Sequence, residues 1–198
     1  PVWRPPAQAG GSPTSLASDV ARGVRAEACL DGAFVRLSLQ VDLAAPAWAA
    51  VGFRGSDECL MTPRGGGDGE IVLAQPQAAG AAEAYRLLYG PLSPDAKHFQ
   101  PGVLAAIPQR LSPVGGAGGA AGLSEGAAEY SNGRLVLSFA RSYPQAPAAL
   151  NLSFAYGSSQ QLGYHASRGC FALTPAACPA VCRAAHGHGG CARSSVAS

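Results

Sequence analysis

"AFVRLSLQVDL", residues 33–43, alternates along most of its length. Val35, Leu37, Leu39, Val41 and Leu43 fall on one side, and Arg36, Ser38, Gln40 and Asp42 on the other, with Phe34 the single apolar residue on the polar side. That period of two is the mark of a strand with one face buried and one face wet. A helix would repeat its apolar positions every three to four residues instead. Working outward, "VRAEACL" (24–30) precedes it as a pairing strand. "AWAAVGF" (47–53), "EIVLAQ" (70–75), "AYRLLYG" (84–90), "GRLVLSFA" (133–140), "ALNLSFAYG" (149–157) and "GCFAL" (169–173) follow with the same short, strand-like character. Gly (26) and Pro (16) are spread between these runs, and "SNGR" at 131–134 reads as a tight turn into a strand. So many short strands separated by turns predict an all-β fold, an immunoglobulin-like antiparallel β-sandwich.

The length of 198 residues fits one domain with a core of its own. Residues 1–20 are rich in Pro, Ser and Ala and are expected to form an extended N-terminal arm, with the sandwich over 21–174. Within it, "VGGAGGAAGLSEGAAE" (114–129) is low in complexity and is expected to be a mobile loop, because its side chains return little for the entropy of ordering it. From 175 to 198 the chain carries Cys178, Cys182 and Cys191 with few large apolar residues, a Cys-rich tail whose order is expected to depend on cross-links.

Charged residues make up only 13% of the chain and the formal net charge is +2, which excludes the basic field that binding to nucleic acid needs. The longest apolar candidate, "LAAPAWAAVGF" (43–53), holds a proline and falls well short of the roughly 20 residues that cross a bilayer, so no membrane span is expected. The cysteine count is even, at six, and "NLS" at Asn151 to Ser153 is an N-glycosylation acceptor. Both point to the secretory pathway, at the cell surface or outside the cell. The start at Pro1 is in keeping with a processed or excised mature form.

Met61 is the only methionine and His165 is one of four histidines. A thioether and an imidazole together are the axial ligand pair of a six-coordinate haem. On residue chemistry alone, a methionine also fills core gaps and a histidine also sits at turns. "CxxCH" is absent, which excludes covalent c-type attachment.

"WAAVGF" followed by a loop with Met61 and then "GEIVLAQ", later "NGRLVLSFARSYP", and finally "LNLSFAYGSSQQLGYHASRG", resembles the DOMON domain, the family of the dopamine β-monooxygenase N-terminal region and the cytochrome domain of cellobiose dehydrogenase. The resemblance covers about residues 24–174 and rests on the order and spacing of these blocks. It implies a non-covalently held haem b with Met61 and His165 as axial ligands of the iron. The link "TPRGGGDGE" after Met61 is longer and richer in glycine than in many members, and Cys59 is unusual at its position. A Cys59–Cys170 disulfide would tie the two ligand-bearing segments together.

A haem in such a sandwich needs apolar walls and cations near its propionates. Phe53, Leu60, Tyr85, Phe154, Tyr156 and Tyr164 are candidates for the walls, with Phe53 and Tyr164 the ones expected to bind the cofactor. Arg54, Arg64 and Arg168 are candidates for the propionates, Arg168 being next to the histidine segment. "CPAVCRAAHGHGGC" (178–191) has one residue between its histidines where zinc fingers have three to five, so a disulfide-bonded tail is the better reading than zinc. His98 reads as a loop histidine, and Asp57, Glu58, Asp68 and Glu70 as a solvated acidic loop rather than a calcium site. "GxSxG", "HExxH" and a P-loop are all absent.

The function expected is one-electron transfer by an extracytosolic b-type haem domain, not catalysis, since two protein ligands leave iron no open position. Its partner would be a redox domain or a transmembrane b-type cytochrome. The alternative is a haem-free module of a cell-surface or wall assembly that binds a carbohydrate or a glycoprotein.

Overall fold

The computed structural model describes residues 15–53, 69–77, 81–89, 109–110, 122–162 and 165–178. In chain order the strands are β1 Ser15–Asp19, β2 Val24–Asp31, β3 Phe34–Asp42, β4 Ala49–Phe53, β5 Gly69–Pro76, β6 Ala81–Tyr89, β7 Gln109–Arg110, β8 Leu123–Ser131, β9 Arg134–Ser142, β10 Leu150–Tyr156, β11 Ser167–Leu173 and β12 Ala176–Ala177. A short 3-10 turn, Val20–Arg22, joins β1 to β2. The expected all-β antiparallel sandwich is the fold.

One hydrogen-bonded path runs β1-β2-β3-β9-β8-β6-β5-β4-β10-β11, with β7 added on β6 and β12 on β2. At β6 and β8 it narrows to the pairs Ala81↔Glu129 and Ala82↔Ala128. Here it folds over, giving a first sheet β1-β2-β3-β9-β8 and a second sheet β6-β5-β4-β10-β11. β5 touches both β8 and β9 across the sandwich, and β1 lies against β11 where the two ends of the path meet.

Alternation on β3 dictates the core. Val35, Leu37, Leu39 and Val41 point inward and are at most 2% exposed, packed with Leu135 and Leu137 of β9 and with Val51, Val72, Leu152 and Phe154 of the second sheet. Phe34, on the polar side of the pattern, is 42% exposed. The β8–β9 hairpin turns through Asn132 and Gly133, both at positive φ (52° and 73°), with Ser131 and Arg134 paired across it. Such a two-residue loop matches the twist of the strands, and Asn-Gly is the sequence that adopts it most readily.

Three expectations shift. Residues 15–19, read as part of the arm, form β1 along β2 from Ser15↔Ala28 to Asp19↔Val24. Residues 123–129, read as part of a mobile loop, belong to β8. There a bulge between Ser124 and Ala127 puts Glu125 at positive φ, and its carboxylate pairs with Arg36. Both strands owe their order to a neighbouring ladder and not to large side chains of their own, so composition hides them. At the start of the tail, β12 runs parallel to β2 and Cys178 is bonded to Cys29 across 149 residues. The parts 114–121 and 179–198 lie outside the described residues.

Candidate functional site

The second sheet has two buried faces. Antiparallel register fixes them: Ala49, Val51 and Phe53 of β4, Val72 and Ala74 of β5, and Leu150, Leu152 and Phe154 of β10 turn into the sandwich. The outward positions form cross-strand rows. One runs Leu73, Ala50, Ala155, Arg168, and the next runs Ile71, Gly52, Ser153, Cys170. A polar, wet set would be usual at such a face. Instead Trp48, Ala50, Ile71, Leu73 and Ala155 form a second apolar cluster, each at most 6% exposed, with Leu162 packed against it. The middle of this face, at Ala50, Gly52, Ser153 and Ala155, is made of small residues. The larger Trp48, Ile71 and Leu73 belong to the same face beside them.

The connection from β10 to β11 is fastened to this cluster. Gly157 N donates to Trp48 O (2.9 Å), Trp48 N to Ser159 O (3.2 Å), and Ala166 N to Tyr156 O (2.8 Å). The Gln75 amide on β5 donates to Gln160 O at 2.9 Å. Gly157 is required by Trp48, because a Cβ there would stand 2.2 Å from the indole Nε1. This close approach is the physical reason for glycine after "AY", and it couples the "WAAVGF" block to the "AYG" block.

His165 is the residue before the Ala166 anchor and is half-buried. Loss of hydration first, and the positive charge of Arg168 second, hold its pKa below the ordinary histidine value. The imidazole is therefore neutral at neutral pH, the form that binds a metal. Arg168, opposite Ala155 in the register, is exposed on the outward side of β11. Cys170, two residues on and opposite Ser153, is disulfide-bonded, and its partner lies outside the described residues.

His165 and Arg168 thus come near each other at the Tyr156 end of β11, Arg168 on its outward side. Phe53 does not join them. It turns inward, edge-on to Phe139 (centroids 5.7 Å apart), with the Arg141 guanidinium 3.9 Å from its ring centroid. Phe154 also faces the interior, stacked on Phe171 at 4.9 Å with Gly169 against its ring. Tyr156 packs on the inner core and its hydroxyl donates to Arg22 O at 3.2 Å. Tyr85 is paired in backbone register with Leu73. Met61, Tyr164, Leu60, Arg54, Arg64, Cys59, His98, Asp57, Glu58 and Asp68 lie outside the described residues, as do Cys182, His186, His188 and Cys191. Among the described residues no group of three or more His, Cys, Asp or Glu is placed to hold a metal ion, and no helix is long and apolar enough to cross a membrane.

The sequence reading missed the patch made by Trp48, Ile71, Leu73 and Ala155. Its signal was there in "EIVLAQ", an unbroken apolar run and not an alternating one, as in a strand covered on both sides. Fold and face together define the class: a disulfide-bonded antiparallel sandwich whose second sheet has a buried apolar outward side, with a half-buried histidine just before its edge strand β11. The chain matches no family model, no curated protein and no solved structure.

Proposed function

We propose that the chain is an extracytosolic haem b domain of the DOMON type that passes single electrons, with Met61 and His165 as the axial ligands. The observation that carries this reading is the half-buried, neutral His165 near Arg168 at the start of β11, an edge strand of the sheet whose outward side is apolar. A flat apolar group with acidic edges would find apolar lining in Trp48, Ile71 and Leu73, and because Ala50 and Ala155 are already 2% and 3% exposed, it would have to replace what now covers them. Arg168 would pair with carboxylates at the rim. When bound, haem supplies a one-electron couple at iron. The protein's part would be to keep the His165 nitrogen unprotonated and, with Met61, to hold the iron, so that electrons and not substrates would be exchanged.

Of the cysteines left after Cys29–Cys178, we assign Cys59 as the partner of Cys170. That bond would hold the Met61 segment to β11. Both disulfide-bonded positions support an oxidising, extracytosolic setting. The electron partner would be a redox domain or a transmembrane b-type cytochrome.

The test is absorption spectroscopy of native protein or of protein offered haemin. A sharp Soret band with resolved α and β bands on reduction is the expected result, and His165→Ala or Met61→Ala should turn it high-spin. A folded, colourless protein that takes up no haemin would overturn the proposal and leave the carbohydrate- or glycoprotein-binding module.

A further inference from the structure

We infer that Asn151 is an N-glycan acceptor that can be modified only before β10 enters the sheet. This rests on the extracytosolic part of the reading above and is independent of haem.

Asn151 is the second residue of β10, directly after the surface segment 144–149. Its neighbours Leu150 and Leu152 turn into the core, so strand alternation turns Asn151 outward, and it is half-exposed. Opposite it on β11 is Ala172, which is exposed and small, and so leaves room for the first sugar. Arg168 lies four residues further along the β11 ladder, about 13 Å away by strand rise. A glycan at Asn151 therefore stands at the opposite end of the β11 ladder from Arg168.

The third residue of the acceptor motif behaves differently. Ser153 is 1% exposed, and its hydroxyl donates to Gly52 O at 3.4 Å between β10 and β4. The backbone on either side is locked, with Asn151 and Ser153 paired to Ala172 and Cys170, and Ser153 also paired to Gly52. An oligosaccharyl transferase needs both the carboxamide and the hydroxyl of the motif within its own site, which this ladder forbids. The nascent, unpaired chain offers both. In the transfer, the Asn151 amide nitrogen attacks the anomeric carbon of an oligosaccharide linked to a lipid pyrophosphate. A carbon–nitrogen bond forms, the carbon–oxygen bond to phosphate breaks, the lipid pyrophosphate leaves, and one amide proton passes to the transferase. The finished fold then carries the glycan on its outward side without disturbing the core.

The full chain is secreted from a eukaryotic host behind a leader peptide, and the peptide containing residue 151 is analysed by mass before and after peptide-N-glycosidase. A glycan at Asn151, lost in Asn151→Gln and kept in Ser153→Thr, is the expected result. An unmodified Asn151 in secreted protein with the Cys29–Cys178 bond closed would overturn the site. For the timing, bacterially made protein is offered to a transferase and lipid-linked oligosaccharide, once folded and oxidised and once reduced and unfolded. Modification of the unfolded chain alone is expected, and equal modification of both would overturn the order of events. The absorption spectrum of the secreted sample reads the haem proposal separately, so either can fail while the other stands.

Discussion

The outward faces of the two sheets are built on opposite principles. On the first sheet the buried outward positions include polar residues beside the apolar Cys29 and Ala140. Glu27, Ser38 and Ser138 stand side by side in the register at 4%, 0% and 1% exposure. Around them are the ion pairs Arg25–Glu27 and Arg36 with Asp31 and Glu125. On the second sheet the same kind of position holds Trp48, Ala50, Ile71, Leu73 and Ala155, and the β10–β11 connection is hydrogen-bonded over their edge. Long charged side chains lying along a strand can shield a face while their ends stay in water. An apolar face has no such option and must be covered by other parts of the molecule or by something bound to it. The comparison teaches that the second face behaves as a further packed layer, since its residues are already at most 6% exposed, while the first keeps polar groups among its buried ones.

That contrast can be broken most decisively by truncation on each outward face. Ile71→Ala should cost about 2–5 kcal/mol, as for a core position, whereas Gln40→Ala on the first sheet should stay within about 0.5 kcal/mol. Denaturant midpoints of the two variants measure it, and equal small effects would mean that the second face is not a packed layer. Next in size is Gly157→Ala, which forces a methyl group into Trp48. A loss of about 1–3 kcal/mol with a change in tryptophan fluorescence is expected, as for overpacking.

A smaller effect should appear in the pH dependence. His165 has its pKa below the ordinary 6.5 in the fold. The native state therefore binds fewer protons than the unfolded chain around that pH, and stability is complete above about 6.5 and declines as pH falls through the folded value. In haem-free protein His165→Asn should flatten this decline between pH 7 and 5, measured by thermal melts. The smallest change belongs to the first sheet: the exposed Arg134–Asp42 pair, 2.7 Å apart, should contribute under about 1 kcal/mol, and less at high salt. An Arg134→Ala variant whose stability responds to salt as the parent does would show that this pair contributes nothing.

Much of this was legible in the chain. Alternation in residues 33–43 located β3 and its core face, and the short apolar runs located β2, β4, β5, β6, β9, β10 and β11 close to their observed bounds. β1 and β8 were not legible, since "SLASD" and "LSEGAAEYS" contain few large apolar residues and are held by the ladders of β2 and β9. Of the residues singled out for the site, Arg168 lies on the outward side of β11 with His165 near it at the strand's start, while Phe53, Phe154 and Tyr156 serve the interior. Sequence order cannot separate these sets, because each aromatic is next to a plausible ligand segment and only register decides the side.

The sequence by itself determined that the chain is an all-β sandwich, because a period of two along short runs is a local property that each strand carries within itself. It also determined the Asn-Gly turn, which depends on the backbone freedom of two adjacent residues. The tertiary structure alone decided which side of each strand meets water, that Cys29 finds Cys178, and that Gly157 leaves space for Trp48. Those facts depend on pairs of residues far apart in the chain, and nothing short of the folded register brings them together.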